Sequence, residues 1–446
     1  MESIFQEKAF DFSSSAQFFE NMQRHPAIHP SAIRKISIFA PMKKYHLATY
    51  GCQMNEYDSA MIAQQLDARG CIETHNKEDA DVIIVNTCSV REKAEETAIV
   101  NISKLKHLRK KNPDVKVVVC GCMAKNRGPE LLKRLKNVSY IVGPDQYRKI
   151  PELLLDGADS PLHRTHHRMF IDEDREENYL GEYAKLSNDV STFVTIQRGC
   201  NKRCSYCIVP CLRGPEKYRD MNDVLEEIRM AADKGISEVM LLGQTVNAYK
   251  TKDADFATLL TKVSEIGGIK RIRFTSPHPR HYTNELIDVL LNNPKVCHYA
   301  HIPLQSGSDA ILKKMRRQHN MEQYMTVIEQ LRSKDPFYGI STDVICGFVG
   351  ETADDFEQSV AHVVIEISAS GVLSDIDLVR KRERSSLKPH LRHLILAPVD
   401  REPSRRKRIA RFQDEALVSF IDDNRIVARR KLVNGSVVPP LGDVLD

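Results

Sequence analysis

Cys200, Cys204, Cys207 and Cys211 fall within one stretch, RGCNKRCSYCIVPCLRG, at the spacing C-x3-C-x2-C-x3-C. Thiols this close together point to a metal. Zinc sites pair one C-x2–4-C with a second pair further along the chain, and no second pair follows here. Thiolates also hold iron–sulfur clusters, and a closed cubane takes four of them. The run is close to the ferredoxin spacing, but its first gap is one residue longer and no Pro follows Cys211. With three ligands only, one iron stays open to a small chelating molecule, as a catalytic metal site requires. The stretch taken alone admits both a closed and an open site.

A second set is spread along the chain. Cys52 lies in YGCQMN, Cys88 in VNTCSVR and Cys122 in CGCMA, 36 and 34 residues apart. Each follows a segment that reads as a strand. If those strands form one parallel sheet, all three cysteines emerge at its carboxyl edge, where ligands bind. Cys120 alternates with Cys122 along its strand and faces the other way. Cys71, Cys297 and Cys346 read as buried core thiols.

The positioning elements follow from the hydrophobic pattern. Residues 44–155 alternate strands and helices: YHLATYG, DADVIIVNTC, VKVVVCGC and VSYIVG as strands, NEYDSAMIAQQLDARG and VREKAEETAIVNISKLKHLRKK as helices. Such alternation predicts a parallel sheet covered by helices. Residues 156–188 are polar and read as a linker, with His163, His166 and His167 on a solvated loop. Residues 189–368 carry a second, regular strand–helix series that suits a full or partial β/α barrel. Gln244, Ser276, Gln305 and Gly347 stand just after its strands, at the end where barrel chemistry sits. Residues 1–43 read as an irregular extension, with Met42 near the start of the folded part. Residues 369–446 read as an atypical, arginine-rich basic segment without a clear β pattern.

Bulk composition bounds the rest. The 446 residues are too many for one ordinary core, which predicts several domains. With 41% hydrophobic and 28% charged residues, the chain has the composition of a soluble globular protein. Its net charge of +5 permits a nucleic-acid partner without requiring one. No apolar run approaches the ~20 residues of a membrane span. Glu2, Glu7, Asp11 and Glu20 make the N-terminus too acidic for a transit peptide, and it lacks the apolar stretch of a secretory signal. The expected compartment is the cytoplasm, where eleven cysteines suit metal or redox chemistry better than disulfides.

The C-x3-C-x2-C loop after the first strand of a barrel resembles the radical S-adenosylmethionine (SAM) enzymes. With the second cysteine set and the segments GCQMNEYDS, NTCSVR, LLGQTVNAY, RFTSPHPRH, HIPLQSGSDAILKKMRR and TDVICGFVGET, the chain resembles the radical SAM methylthiotransferases across about residues 44–358. GCQMNEYDS and NTCSVR are most similar to the tRNA branch, the MiaB type. That resemblance implies an enzyme that adds a 2-methylthio group to N6-isopentenyladenosine at position 37 of tRNA, in the anticodon loop. It implies two [4Fe–4S] clusters, one on Cys200, Cys204 and Cys207, the other on Cys52, Cys88 and Cys122. It implies SAM contacts through Gln244 and Asn247, with Ser276, His301 and Gln305 as pocket residues. Each of these pocket residues equally suits a strand-end hydrogen bond. Tyr206 would pack near the SAM adenine, or simply support its loop. A monomer is expected, supplied by an electron donor and a sulfur source.

The chain departs from the family in three places. Cys211 stands in PCLRG where the family has PYxRG, which makes it a bystander. Val349 and Gly350 replace a glycine–proline pair. Residues 368–446 lack the pattern of the family's RNA-binding TRAM domain, as a shifted reading frame would produce. The alternatives are therefore an aspartyl methylthiotransferase of a ribosomal protein and an inactive iron–sulfur homologue.

Overall fold

The computed structural model describes residues 43–89, 92–155, 168–174, 184–186 and 190–362, together with four short strands between residues 375 and 429. His163, His166 and His167 lie outside the described residues, as does most of the basic C-terminal segment.

The first unit is a six-stranded parallel sheet, in the order β2-β1-β3-β4-β5-β6. Its strands are β1 (Lys44–Tyr50), β2 (Ile72–Glu73), β3 (Val82–Thr87), β4 (Lys116–Gly121), β5 (Tyr140–Val142) and β6 (Met169–Phe170). Every residue of β3 is buried, as expected of a central parallel strand covered on both faces. The period of two splits its side chains. Ile84 and Val118 face the layer of α1 (Gln53–Asp67). Ile83, Val85, Val117 and Val119 face α2 (Glu92–Lys104) and α4 (Cys122–Arg134). The helix expected after β3 is two helices, α2 and α3 (Lys106–Lys111), which break at Leu105. Leu105 is buried and turns the chain inward, so the basic last turn becomes a separate surface element. After α5 (Lys149–Leu155), β6 lies inside the stretch read as linker. Its two residues are too few to carry a period.

The second unit is a parallel half-open barrel. β7 (Ser191–Thr195), β10 (Glu238–Leu242) and β11 (Arg271–Phe274) form one sheet, and β12 (Tyr299–His301) pairs with β13 (Gly339–Ser341). A parallel bridge from Ile272 to Val296 continues the wall. Between β7 and β10 lie β8 (Gln197–Arg198), α6 (Val209–Arg213), β9 (Lys217–Tyr218) and α7 (Met221–Asp233). Helices α8 (Phe256–Ser264), α9 (Asn284–Asn292), α10 (Asp309–Lys314), α11 (Met321–Arg332) and α12 (Ala353–Ala361) complete the series. Asn320 and Thr352 cap α11 and α12 through reciprocal capping boxes, which fixes where those helices begin. In the C-terminal segment, residues 375–378 pair antiparallel with 394–397, and 418–422 with 425–429. No strands were expected there.

The two units share buried surface. Leu242 of β10 packs into the core of the first sheet. The Tyr57 hydroxyl on α1 donates to Glu227 on α7 at 3.2 Å, and Arg219 bonds the same carboxylate at 2.5 Å. Arg198 pairs with Asp145 at 2.9 Å, both almost fully buried. Among the described residues, no helix is long and apolar enough to cross a membrane.

Candidate cluster and cofactor site

Sheet register assembles the dispersed cysteines. Tyr50 pairs with Thr87, and Thr87 with Gly121. Strands β1, β3 and β4 therefore end level, and Cys52, Cys88 and Cys122 follow at one edge. Cys52 occupies the N-cap of α1 and Cys122 is the first residue of α4. Unpaired N–H groups and the helix dipole favour thiolate there. Gly121 makes that turn possible. Its φ is +94°, and a Cβ would fall 2.4 Å from the Thr87 carbonyl oxygen. Asn55 and Asn86, both fully buried, tie the strand ends together. Asn55 Nδ2 donates to Asn86 Oδ1 at 3.0 Å, and Asn86 Nδ2 donates back to the Asn55 carbonyl at 2.9 Å.

The three thiols sense one another. A hydrogen bond with Cys88 and the nearby Arg213 charge bring Cys52 down to about 6, against the effect of burial. Burial pushes Cys122 up, while Arg213 opposes the rise and the charge of Cys52 adds to it. Arg213 Nε donates to Cys122 Sγ at 3.2 Å. Cys120 is fully buried among Val118 and Val142, on the other face as expected, and burial holds it well above the ordinary thiol range.

The clustered set sits on a loop held at several points. Gly199, at φ +72°, turns the chain out of β8. Its N–H donates to Gln244 Oε1 at 2.6 Å, and the Cys200 N–H donates to the Gly214 carbonyl at 3.1 Å. Asn201 and Glu216 bond each other across the loop at 3.0 and 3.2 Å. Ser205 N–H donates to the Met315 carbonyl at 3.0 Å. The sulfurs have polar neighbours: Thr245 Oγ1 lies 3.3 Å from Cys200, and Arg317 Nη1 donates to Cys204 at 3.5 Å. Burial pushes Cys207 up to about 11, with the charges of Cys204 and Cys200 adding to the rise. Cys200, Cys204 and Cys207 are half-buried, whereas Cys211, on α6, is exposed.

Each set therefore brings three thiols together with a guanidinium N–H on one sulfur, which is the donor chemistry of an iron–sulfur cluster. No three His, Cys, Asp or Glu side chains among the described residues converge as ligands of a single metal ion. A cubane has no need of that, because each thiolate binds a different iron.

The pocket residues divide. Gln244 is engaged with Gly199. Asn247 is locked against the backbone of His278, donating to its carbonyl at 3.0 Å and accepting from its N–H at 2.8 Å. Both amides shape the barrel mouth from within. Ser276 and Gln305 adopt φ of +57° and +75°, strained values for non-glycine residues, at the ends of their strands. His301 Nδ1 lies 2.8 Å from Ser341 Oγ, and its Nε2 lies 3.5 Å from Asp343. Tyr206 packs on the small cluster of Ile311, Met315, Ile345 and Phe348, which anchors the loop.

Sequence reasoning passed over Arg213, Arg317, Thr245 and the histidines at the mouth. His278 Nδ1 accepts from the Arg280 N–H at 3.2 Å, so the ring proton sits on Nε2. That Nε2 and Arg317 Nε are buried without a hydrogen-bond partner. Arg317, whose Nη1 bonds Cys204, thus keeps a spare donor next to that sulfur, and His278 Nε2 is a second buried one; such donors fit a polar ligand with acceptor groups, as SAM has. The only advance signal was SPHPRH after a strand.

Residues 44–143 match an uncharacterized protein family, UPF0004, and residues 194–363 match the radical SAM superfamily. A tRNA-2-methylthio-N(6)-dimethylallyladenosine synthase of Thermodesulfovibrio yellowstonii is 40% identical over 329 residues, covering 74% of each chain. One from Caldicellulosiruptor saccharolyticus is 39% identical over 387 residues, 85% of this chain and 79% of that one. The radical SAM methyltransferase TsrM of Kitasatospora setae, solved with cobalamin and a [4Fe–4S] cluster, shares the fold. Its TM-score is 0.51 at 15% identity, over 72% of this chain and 73% of that one.

Proposed function

This chain belongs to the tRNA-2-methylthio-N(6)-dimethylallyladenosine synthase family of radical SAM methylthiotransferases, and from that premise we propose that it adds a 2-methylthio group to N6-isopentenyladenosine at position 37 of tRNA. The observation that carries the reading is the presence of two separate three-cysteine sets, one on each of two parallel folds, with Arg213 of the second fold bonded to Cys122 of the first.

The cofactors are SAM and two [4Fe–4S] clusters. Cys200, Cys204 and Cys207 would hold one cluster, and Cys52, Cys88 and Cys122 the other. Together these groups would supply a carbon-centred radical, needed for an unactivated aromatic C–H bond, and the sulfur to be inserted. The residues of the chain position and enclose. Arg317 and Thr245 fix Cys204 and Cys200 through their sulfurs. Gln244 holds the loop closed at Gly199, and Asn247 fixes the backbone at His278. His278 Nε2 and Arg317 Nε offer hydrogen bonds to SAM or to the substrate base. Burial holds His278 well below its ordinary pKa, with the Arg317 charge adding to the effect. That favours the neutral ring, which is a donor through Nε2.

An adenosine at an anticodon loop is single-stranded and can be unstacked into a pocket, the usual mode of sequence-specific RNA recognition. An electron donor and a sulfur source complete the partners of a monomeric, cytoplasmic enzyme. Nucleoside analysis of tRNA from cells lacking this chain tests the reading. The 2-methylthio nucleoside should disappear and isopentenyladenosine should accumulate. Its persistence, in cells with no second enzyme of this family, overturns the assignment.

A further inference from the structure

Arg213 closes α6, six residues beyond Cys207, and so belongs to the radical loop. Its guanidinium nevertheless reaches the other unit. Nη1 pairs with Asp58 Oδ2 at 2.7 Å while Nε donates to Cys122 Sγ at 3.2 Å. Arg213 is 3% exposed and Asp58 fully buried. Asp58 lies on α1, the helix capped by Cys52, and also accepts from the Tyr147 hydroxyl at 3.1 Å. The carboxylate therefore fixes the fork so that its remaining edge meets the sulfur.

The fastening of the two units does not require this contact. Arg198 with Asp145, and Arg219 with Glu227 and Tyr57, already join them through buried polar groups. Those pairs end on carboxylates and a hydroxyl alone, whereas Arg213 adds a cysteine sulfur to its carboxylate. An N–H bond to a ligand sulfur, backed by a positive charge in a dry site, stabilises the more negative, reduced state of a cluster.

We propose that Arg213 is a positioning residue that orients Cys122 and raises the reduction potential of the cluster held by Cys52, Cys88 and Cys122, so that the radical loop tunes the sulfur-bearing site. This rests on the ligand assignment above. It is tested on the reconstituted full chain carrying Cys200→Ala, Cys204→Ala and Cys207→Ala, in which the second cluster alone gives a signal. Iron content and the midpoint potential from an EPR-monitored titration are measured with Arg213, Arg213→Lys and Arg213→Gln. The expected result is about four irons per chain in the parent, a midpoint shifted to more negative values in Arg213→Gln, and a smaller shift in Arg213→Lys. Loss of iron in Arg213→Gln that Arg213→Lys restores also supports the proposal. Equal iron and equal midpoints in all three overturn it and leave the ligand assignment standing. A parent that binds no iron removes both.

Discussion

Replacing Gly199 with Ala probes the link between backbone geometry and cluster loading. Gly199 has φ +72°, and a Cβ there would lie 2.0 Å from the Pro215 carbonyl oxygen and 2.6 Å from that of Gly214. Both atoms are backbone, so neither can rotate aside. The left-handed conformation alone costs a non-glycine residue about 1–2 kcal/mol. The collision adds more. To make room, β8 must part from β9, and the bonds from Cys200 N–H to Gly214 and from Gly199 N–H to Gln244 lengthen. At about 1 kcal/mol for each of two or three bonds lost, the total reaches roughly 3–5 kcal/mol. Gly235 is the control. Its φ is +94°, but nothing lies within 4 Å of the site of a Cβ. Gly235→Ala should cost about 1–2 kcal/mol and nothing in iron. Urea midpoints and iron per chain after anaerobic reconstitution measure both effects. Gly199→Ala should lose roughly half of an iron content of about eight, because only the radical loop is displaced. Equal midpoints for the two variants, or full iron in Gly199→Ala, would refute the reasoning.

Two other perturbations have defined outcomes. Cys211→Tyr should leave iron content and activity unchanged, since Cys211 is exposed while its three neighbours are half-buried; loss of one cluster's iron would make Cys211 a ligand. The chain should also be acid-sensitive through its buried imidazoles. Burial, then Arg317, pushes His319 down to about 3 and holds His278 well below its ordinary range. A depressed folded pKa means that stability is complete above about pH 6.5 and falls as pH drops, because only the unfolded chain takes up the protons. Each of the two histidines should cost about 1 kcal/mol between pH 6.5 and 5.5. Urea midpoints of the cluster-free chain should fall over that interval, and His319→Gln should reduce the fall. An unchanged pH dependence in that variant would contradict the assignment.

Legibility followed contact range. The placement of Cys52, Cys88 and Cys122 at one sheet edge was readable because a βα repeat sets the register, and Tyr50, Thr87 and Gly121 do pair across three strands. The barrel series was readable for the same reason. Arg213 and Arg317 were not, because their sulfur partners lie 91 and 113 residues away and no local pattern announces such contacts. Gln244 and Asn247 were placed at the correct strand end, but periodicity cannot say which way an amide points, and both turn to the backbone. Leu105 shows a further limit. A break between two helices with matching periods leaves the hydrophobic pattern almost unchanged.

The most direct test supplies the reconstituted protein with SAM, a low-potential reductant and tRNA carrying N6-isopentenyladenosine at position 37, followed by mass spectrometry of the nucleosides. The account predicts 2-methylthio-N6-isopentenyladenosine, formed together with 5′-deoxyadenosine and lost when Cys52, Cys88 or Cys122 is replaced by Ala. Cleavage of SAM with the tRNA left unmodified would contradict it, as would product formation that survives those replacements.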